Sequence, residues 1–152
     1  MFDKSHDTKV LNGLIETTLD SVDGYRRAAE ESSESRFATE FLARANERER
    51  IVRQLQDEVR RLGGDPDDDG GILAAAHRAF LGLRERLAGG GGDDAIIAEV
   101  DHGETYLREK WEAALKDDDL SPQTRSLIVQ AYQSIREGQE KWRALHQNMA
   151  GS

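Results

Sequence analysis

The sequence predicts an all-α protein, a four-helix bundle with one additional short helix. Apolar residues recur at spacings of three and four along most of the chain, which is the period of an amphipathic helix. Pro occurs only twice in 152 residues, and 34% of the residues are charged, as is typical of helices with one face in water. No segment alternates with the period of two that indicates a β-strand.

Five segments carry the helical pattern, and local signals mark their ends. Gly63 and Gly64, followed by Pro66, end the second segment. Ser121 and Pro122 supply an N-cap and a proline at the first position of the fifth. Further caps are expected from either of two serines before the second segment (33, 35) and either of two aspartates before the fourth (93, 94). The predicted helices cover about residues 7–32, 36–62, 72–88, 94–116 and 122–149.

The third predicted helix, at 72–88, is shorter than the others and is ended by four consecutive glycines. At about 1.5 Å per residue it spans roughly 25 Å, enough to run along a bundle. Such a crossover lets the second and third long helices lie parallel, which is the ferritin-like topology. We therefore predict a single ferritin-like domain over residues 1–152, with a five-helix up-and-down bundle as the alternative.

Charge and cysteine content exclude several classes of function. The net charge of -9 argues against binding to nucleic acids or anionic membranes. The absence of Cys excludes disulfides, thiolate metal sites and a cysteine nucleophile. The N-terminal residues lack the apolar segment of a signal peptide, and no apolar run reaches the length of a membrane span. We expect a cytoplasmic protein.

Four stretches carry a family resemblance: LNGLIETTLDSVDGY at 11–25, LQDEVRRLGGDP at 55–66, EVDHGE at 99–104 and SLIVQAY at 126–132. They resemble a bacterial family of ferritin-like four-helix-bundle proteins of unknown function, the domain of unknown function 2383. The resemblance implies the bundle fold and a stress-related role. It supplies no activity to carry over.

The ferritin-like superfamily suggests a sharper hypothesis, a carboxylate-bridged di-iron or di-manganese centre. That centre needs an inward Glu from each of two helices and a Glu-x-x-His from each of the other two. On helical wheels, most of the candidate carboxylates turn away from the apolar faces: Glu16, Asp20, Asp23, Glu47, Glu137 and Glu140. Glu104 is the one candidate that faces inward. We therefore expect no metal or other cofactor, with iron or manganese as the alternative.

One Glu-x-x-His string does occur, at Glu99 and His102, on the flank of an apolar face. We interpret it as a solvated pair. The alternative is a peripheral transition-metal site, which needs a further ligand from another helix or subunit. His146, whose predicted orientation is inward, is a third candidate ligand.

Arg48 and Glu104 each lie in the middle of an apolar stripe. A charge on a buried face is costly unless it is paired. We predict a bidentate bridge between these two side chains, with Gln139 and Thr18 satisfying the remaining polar groups. The alternative is a variant of the superfamily's metal site in which the guanidinium takes the place of a cation.

These patterns favour a non-enzymatic bundle that acts through self-association or a protein partner, and the family resemblance implies a stress-associated role. A metal-dependent oxidase or metal-storage bundle is the rival hypothesis. A small-ligand carrier is a third, which an apolar cavity beside Arg48 would support.

Overall fold

In a computed structural model of the protein, residues 3–68 and 92–150 are described, with side chains to residue 148. They form four helices: α1 (Lys4–Glu31), α2 (Ser35–Arg61), α3 (Gly92–Leu115) and α4 (Pro122–Ala150). No residue of the two described ranges lies in a strand. The all-α prediction is confirmed, and each long helix begins and ends within three residues of its predicted boundary. The predicted short helix at 72–88 lies outside the described residues.

Contacts between α1 and α2 show that these helices are antiparallel. Asn12, near the start of α1, donates to the carbonyl of Asp65, which follows α2. Arg26, near the end of α1, pairs with Glu49 in the middle of α2. The first two helices therefore form a hairpin.

Contacts made by α3 show the directions in which α3 and α4 run relative to α1. His6 at the start of α1 meets Asp117 just after α3, so α1 and α3 are antiparallel. On α4, Tyr132 contacts Glu112 and the later His146 contacts the earlier Asp101, so α3 and α4 form a second antiparallel hairpin. Since α2 and α3 both oppose α1, they run parallel to each other, as predicted, and the end of α2 and the start of α3 lie at opposite ends of the bundle. This is the set of directions expected of a ferritin-like bundle with one crossover.

The helix packing places α2 and α3 at diagonal corners. Helix α1 packs along both α2 and α3, while α4 packs along α3 and only sparsely along α2. A side chain from α2 must therefore cross the bundle axis to reach α3. None of the helices within the described ranges is long and apolar enough to cross a membrane.

Two of the predicted helix caps are present. At the end of α2, Gly63 has φ 84°, its N–H donates to Arg60 O (2.9 Å), and the N–H of Gly64 donates to Val59 O (3.0 Å). This is a Schellman motif, which requires the left-handed conformation that glycine adopts without strain. At the start of α4, Ser121 Oγ accepts from the N–H of Thr124 (3.4 Å).

The cap predicted for α2 is different from the one observed. Glu34 is the N-cap residue and its side chain makes no capping hydrogen bond. Instead, Asp93 in the first turn of α3 accepts from Ser33 N–H (2.9 Å), Ser33 Oγ (3.0 Å) and Glu34 N–H (3.3 Å). A carboxylate from another helix thus binds the α1–α2 connection, a contact that local sequence patterns do not show.

The apolar core is divided into two clusters along the bundle axis. One half is built on aliphatic residues and one tryptophan: Leu11, Leu14, Ile15, Ile51, Val52, Leu55, Val59, Leu107, Trp111, Ala114, Leu120, Ile128, Ala131 and Ile135. The other half is richer in aromatics: Val22, Tyr25, Ala28, Phe37, Phe41, Ala45, Ile96, Ile97 and Trp142. Arg48 and Glu104 lie between the two clusters.

Candidate functional site

Arg48 and Glu104 form a bidentate ion pair across the bundle axis. Arg48 Nη1 donates to Glu104 Oε1 at 2.8 Å, and Nη2 donates to Oε2 at 2.6 Å. Arg48 is 0% exposed and Glu104 is 2% exposed. The two parallel N–H···O bonds are the strongest geometry available to these groups.

All four helices contribute to the layer around this pair. From α1, Ser21 Oγ accepts from Arg48 Nη1 (2.9 Å) and donates to Glu104 Oε1 (3.4 Å). The Tyr25 ring, also on α1, lies against the guanidinium, with Arg48 Cζ 5.6 Å from the ring centroid. From α4, Gly138 comes so close that a Cβ there would lie 2.8 Å from Glu104 Oε2. We call Ser21, Arg48, Glu104 and Gly138 the ion-pair layer.

The electrostatics keep both Arg48 and Tyr25 protonated. Burial by itself would lower the pKa of Arg48, but the Glu104 carboxylate outweighs burial and the pKa is raised. Burial, followed by the negative charge of Glu104, raises the pKa of Tyr25 well above its usual range. The Arg48 guanidinium therefore stays charged and the neighbouring Tyr25 phenol stays neutral, so neither of these two groups is suited to proton transfer near pH 7.

The prediction that Thr18 and Gln139 support the ion pair is only partly correct. Thr18 and Gln139 are both buried, but neither binds the ion pair. Thr18 Oγ1 accepts from Trp111 Nε1 (3.2 Å), and Gln139 Oε1 accepts from Arg108 Nη1 (2.8 Å). Ser21 binds the ion pair instead, because it lies one turn nearer to Arg48 on α1.

Glu104 is the one buried side chain among the carboxylates considered for a metal centre, but three other acids, Asp7, Glu58 and Asp101, are also buried. Asp7 accepts from Ser121 N–H (3.2 Å) and Ser121 Oγ (2.5 Å). Each of these carboxylates lies away from the bundle centre and has its own donors. The spacing of Asp101 from Glu104, three residues on one helix, was the signal that could have identified it.

Glu58 occupies the end of the bundle where α4 begins. Its carboxylate accepts from Arg61 Nε (2.6 Å), Arg61 Nη2 (2.7 Å) and Thr124 Oγ1 (3.0 Å). The hydrogen bonds from Arg61 lower the pKa of Glu58. These contacts join α2 to the first turn of α4 and account for the burial of this acid.

Polar side chains also line the whole contact between α3 and α4. Thr105 Oγ1 accepts from Gln139 Nε2 (3.3 Å) and Arg143 Nη2 (2.9 Å). One turn further along α3, Arg108 binds Gln139, and beyond it Tyr132 OH donates to Glu112 at 2.6 Å. The apolar stripes did not predict these hydrogen bonds between α3 and α4.

The three candidate peripheral ligands have different surroundings. His146 Nδ1 lies 2.7 Å from Asp101 Oδ2, and its ring centroid lies 6.4 Å from that of His102, at 80°. His102 is exposed and Glu99 is partly exposed. The structure therefore brings the two histidines together across α3 and α4, with Glu99 one turn before His102.

Residues 7–117 match the family described as Domain of unknown function (DUF2383), which is more than half of the chain. The chain belongs to this family. The family match covers Ser21, Arg48 and Glu104 but ends before α4, which supplies Gly138 and His146. No curated protein matches this DUF2383 chain.

The interior of this DUF2383 bundle does not fit a di-metal centre. Among the described residues, the carboxylate at its middle is Glu104, and both of its oxygens are bound by the Arg48 guanidinium. The six carboxylates expected to face away are indeed not buried: Glu16, Asp20, Asp23, Glu47, Glu137 and Glu140. A di-metal centre would require two inward Glu and two Glu-x-x-His motifs, and the residues at the middle of the bundle do not supply them.

A different group of potential ligands lies at the end of the bundle. Among the described residues, three side chains bring ligand atoms within 4.8 Å of one another: His6, Asp117 and Asp119. His6 Nε2 is already paired with Asp117 Oδ2 at 2.8 Å, and Asp119 is exposed. We interpret this group as an ion pair that closes the α3–α4 loop onto α1.

Three acidic side chains on α1, Glu16, Asp20 and Asp23, make the free energy of unfolding depend on pH. Loss of hydration, then repulsion from Asp23 and Glu16, raises the pKa of Asp20 to about 6. The folded state thus binds this proton more tightly than the unfolded state, whose pKa is about 3.9. Binding of this proton to Asp20 stabilises the folded state. The stabilisation is fully present below about pH 4 and is lost as the pH rises through about 6.

We therefore expect Asp20→Asn to raise Tm at pH 7.5 and to leave it unchanged at pH 4. The increase should be small, roughly 1–2 °C, because solvent screens this largely exposed carboxylate. Thermal denaturation at the two pH values measures the difference, with the exposed Asp118→Asn as control. An equal gain at both pH values would show that the effect does not come from the charge.

Proposed function

We propose that this DUF2383 protein is a non-enzymatic helical bundle with a stress-associated role, acting through self-association or a protein partner. The observation that carries the proposal is the ion-pair layer. It fills the centre of the bundle, where a ferritin-like enzyme would gather its metal ligands, with a guanidinium and a carboxylate that satisfy each other. The stress-associated part rests on the family resemblance alone.

Access to the interior also argues against catalysis at the ion-pair layer. Arg48 and Glu104 have almost no exposed surface, so a substrate cannot reach them without separating the helices. A catalytic centre needs a reactive group with a matched pKa beside a concave site. The ion-pair layer is buried and offers no concave site to a substrate.

The groove between α2 and α4 does not suit a carrier of apolar ligands. It has a volume of about 450 Å³, is open to solvent and is lined mainly by polar residues: Glu47, Arg50, Ile51, Gln54, Leu127, Gln130, Ala131, Gln133, Ser134 and Glu137. A carrier would instead need an enclosed, largely apolar cavity. This groove therefore gives no support to the third hypothesis from the sequence.

The outer face of α3 supports an interaction role. Tyr106 is 56% exposed, the largest exposed fraction among the large hydrophobic residues of the described ranges, and Lys110 Nζ lies 5.2 Å from its ring centroid. Tyr combines a large apolar surface with a polar tip and is enriched at interfaces. This face is where we expect a second copy or a protein partner to bind.

Metal analysis combined with light scattering tests the proposal on full-length protein purified without a chelator. We expect far less than one iron or manganese per chain, because the described residues of the interior do not supply the ligands of a di-metal centre. We also expect a mass above that of the monomer at high concentration. Tyr106→Ser should weaken this association, whereas Leu42→Ser, at an exposed site on α2, should not.

Two iron or manganese ions per chain would overturn the proposal in favour of the oxidase or storage bundle. The helix directions support that alternative, because they are those of a ferritin-like bundle. Equal effects of the two serine variants would remove the α3 face as the site of association.

A further inference from the structure

A second polar centre lies where α4 ends beside the first half of α3, about one turn from the ion-pair layer. Asp101 is 3% exposed. Its Oδ1 accepts from Arg143 Nε (3.1 Å), and its Oδ2 lies 2.7 Å from His146 Nδ1. A buried carboxylate therefore holds a histidine that is itself about one-third exposed, at 32%.

The contact with Asp101 fixes which nitrogen of His146 carries the proton. The other oxygen of Asp101 is paired with the Arg143 guanidinium at 3.1 Å, which is the arrangement of an ionised carboxylate. An ionised carboxylate can only accept hydrogen bonds, so Nδ1 is the donor and the neutral ring keeps its lone pair on Nε2. Metal-binding histidines are usually held this way, with the non-ligating N–H on a carboxylate.

His102 places a second imidazole beside the first. It follows Asp101 directly on α3 and is exposed, and the centroids of the two histidine rings are 6.4 Å apart. With Zn–N bonds of about 2.0–2.1 Å and ring centroids roughly 1.2 Å behind the nitrogens, two imidazoles on one tetrahedral ion have centroids about 5–5.5 Å apart. The observed separation is longer than this, so a side-chain rotation of the exposed His102 is needed to bring both imidazoles onto one ion.

We propose that His102 and His146 bind one imidazole-preferring divalent cation, of the Zn²⁺ class, between α3 and α4. In this site Asp101 is a positioning residue that orients His146, and water completes the coordination. Glu99, one turn before His102, is the carboxylate placed to add a third protein ligand. Two neutral imidazoles favour Zn²⁺ over Mn²⁺ or Mg²⁺, which prefer oxygen ligands.

This site is separate from the di-metal hypothesis. It lies on the flank of the bundle, uses none of the residues of the ion-pair layer and gives at most one ion per chain. A bound ion would join the last turns of α4 to α3. Its presence or absence leaves the proposed non-enzymatic role unchanged.

Isothermal titration of the full chain with ZnCl₂ tests the proposal. We expect one binding event, weakened at least tenfold by His102→Ala and by His146→Ala, and lost in the double variant. Asp101→Asn should weaken binding by about 10–100-fold, since it misorients a ligand without removing one. His6→Ala should leave binding unchanged, and MnCl₂ should give no event.

Circular dichroism of each variant shows that the bundle is intact. Because His102 is exposed, His102→Ala keeps the test valid even if the buried Asp101→Asn variant unfolds. Absence of Zn²⁺ binding to the wild-type chain would overturn the proposal. So would binding that survives both His102→Ala and His146→Ala, or binding that His6→Ala abolishes, since the latter would place the ion on Asp117 and Asp119.

Discussion

Glu104→Gln is expected to lower the free energy of unfolding by about 3–5 kcal/mol, because it leaves the Arg48 guanidinium charged and buried without a counter-ion. For a chain of this size the change corresponds to a fall in Tm of roughly 10 °C. Chemical denaturation at pH 7 measures it. Glu137→Gln is the matched control, because Glu137 lies on the exposed face of α4, and its effect should be within about 0.5 kcal/mol.

The pair is not expected to make the fold more stable than an apolar replacement would. Arg48 Nε has no hydrogen-bond acceptor among the described residues, so part of the cost of burying the guanidinium is not recovered. The double variant Arg48→Met with Glu104→Leu should therefore regain most of the stability lost in Glu104→Gln. Small and equal effects of Glu104→Gln and Glu137→Gln would contradict the buried charge pair altogether.

Gly138→Ala is expected to destabilise the bundle by about 1–3 kcal/mol, although Ala is ordinarily the better helix residue by about 1 kcal/mol. A Cβ at this position would lie 2.8 Å from Glu104 Oε2 and closer still to Arg48 Nη2. Neither atom can move away without breaking the ion pair. The new methyl group must therefore push α4 outward or separate the two charges.

Gly13→Ala supplies the control for this prediction. A Cβ at Gly13, on α1, meets nothing within 4 Å, so this substitution should stabilise the protein by about 0.5–1 kcal/mol. Thermal and urea denaturation of both variants measure the contrast. A gain in stability from Gly138→Ala would show that the ion-pair layer has more room than the structure indicates.

The helices could be predicted because their apolar spacing and end signals are local. Gly63 marks a helix end through its conformation, Ser121 marks a helix start through its side-chain hydrogen bond, and Pro122 does so through its missing N–H. The parallel direction of α2 and α3 followed from the length of the segment between them. Arg48 and Glu104 stood out because a charge in an apolar stripe needs a partner.

The partners of buried polar groups could not be predicted because they depend on distances between helices. Ser21 and Thr18 lie on neighbouring parts of α1, and only the packing shows that Ser21 binds Arg48. Asp93 binds the α1–α2 connection from 60 residues away. The near contact of Gly138 depends on how closely α4 approaches the axis, which a helical wheel does not give.

The ion-pair layer also determines how the two hairpins fit along their common axis. Apolar side chains tolerate many arrangements of similar volume, so the two clusters alone would permit one hairpin to slide past the other. A slip of one helical turn, about 5.4 Å, would separate Arg48 from Glu104 and leave two opposite charges buried apart. It would also bring a residue with a side chain to the place that Gly138 leaves open. We infer that the pair specifies the register of α1 and α2 against α3 and α4, so that only one alignment of the hairpins is low in energy.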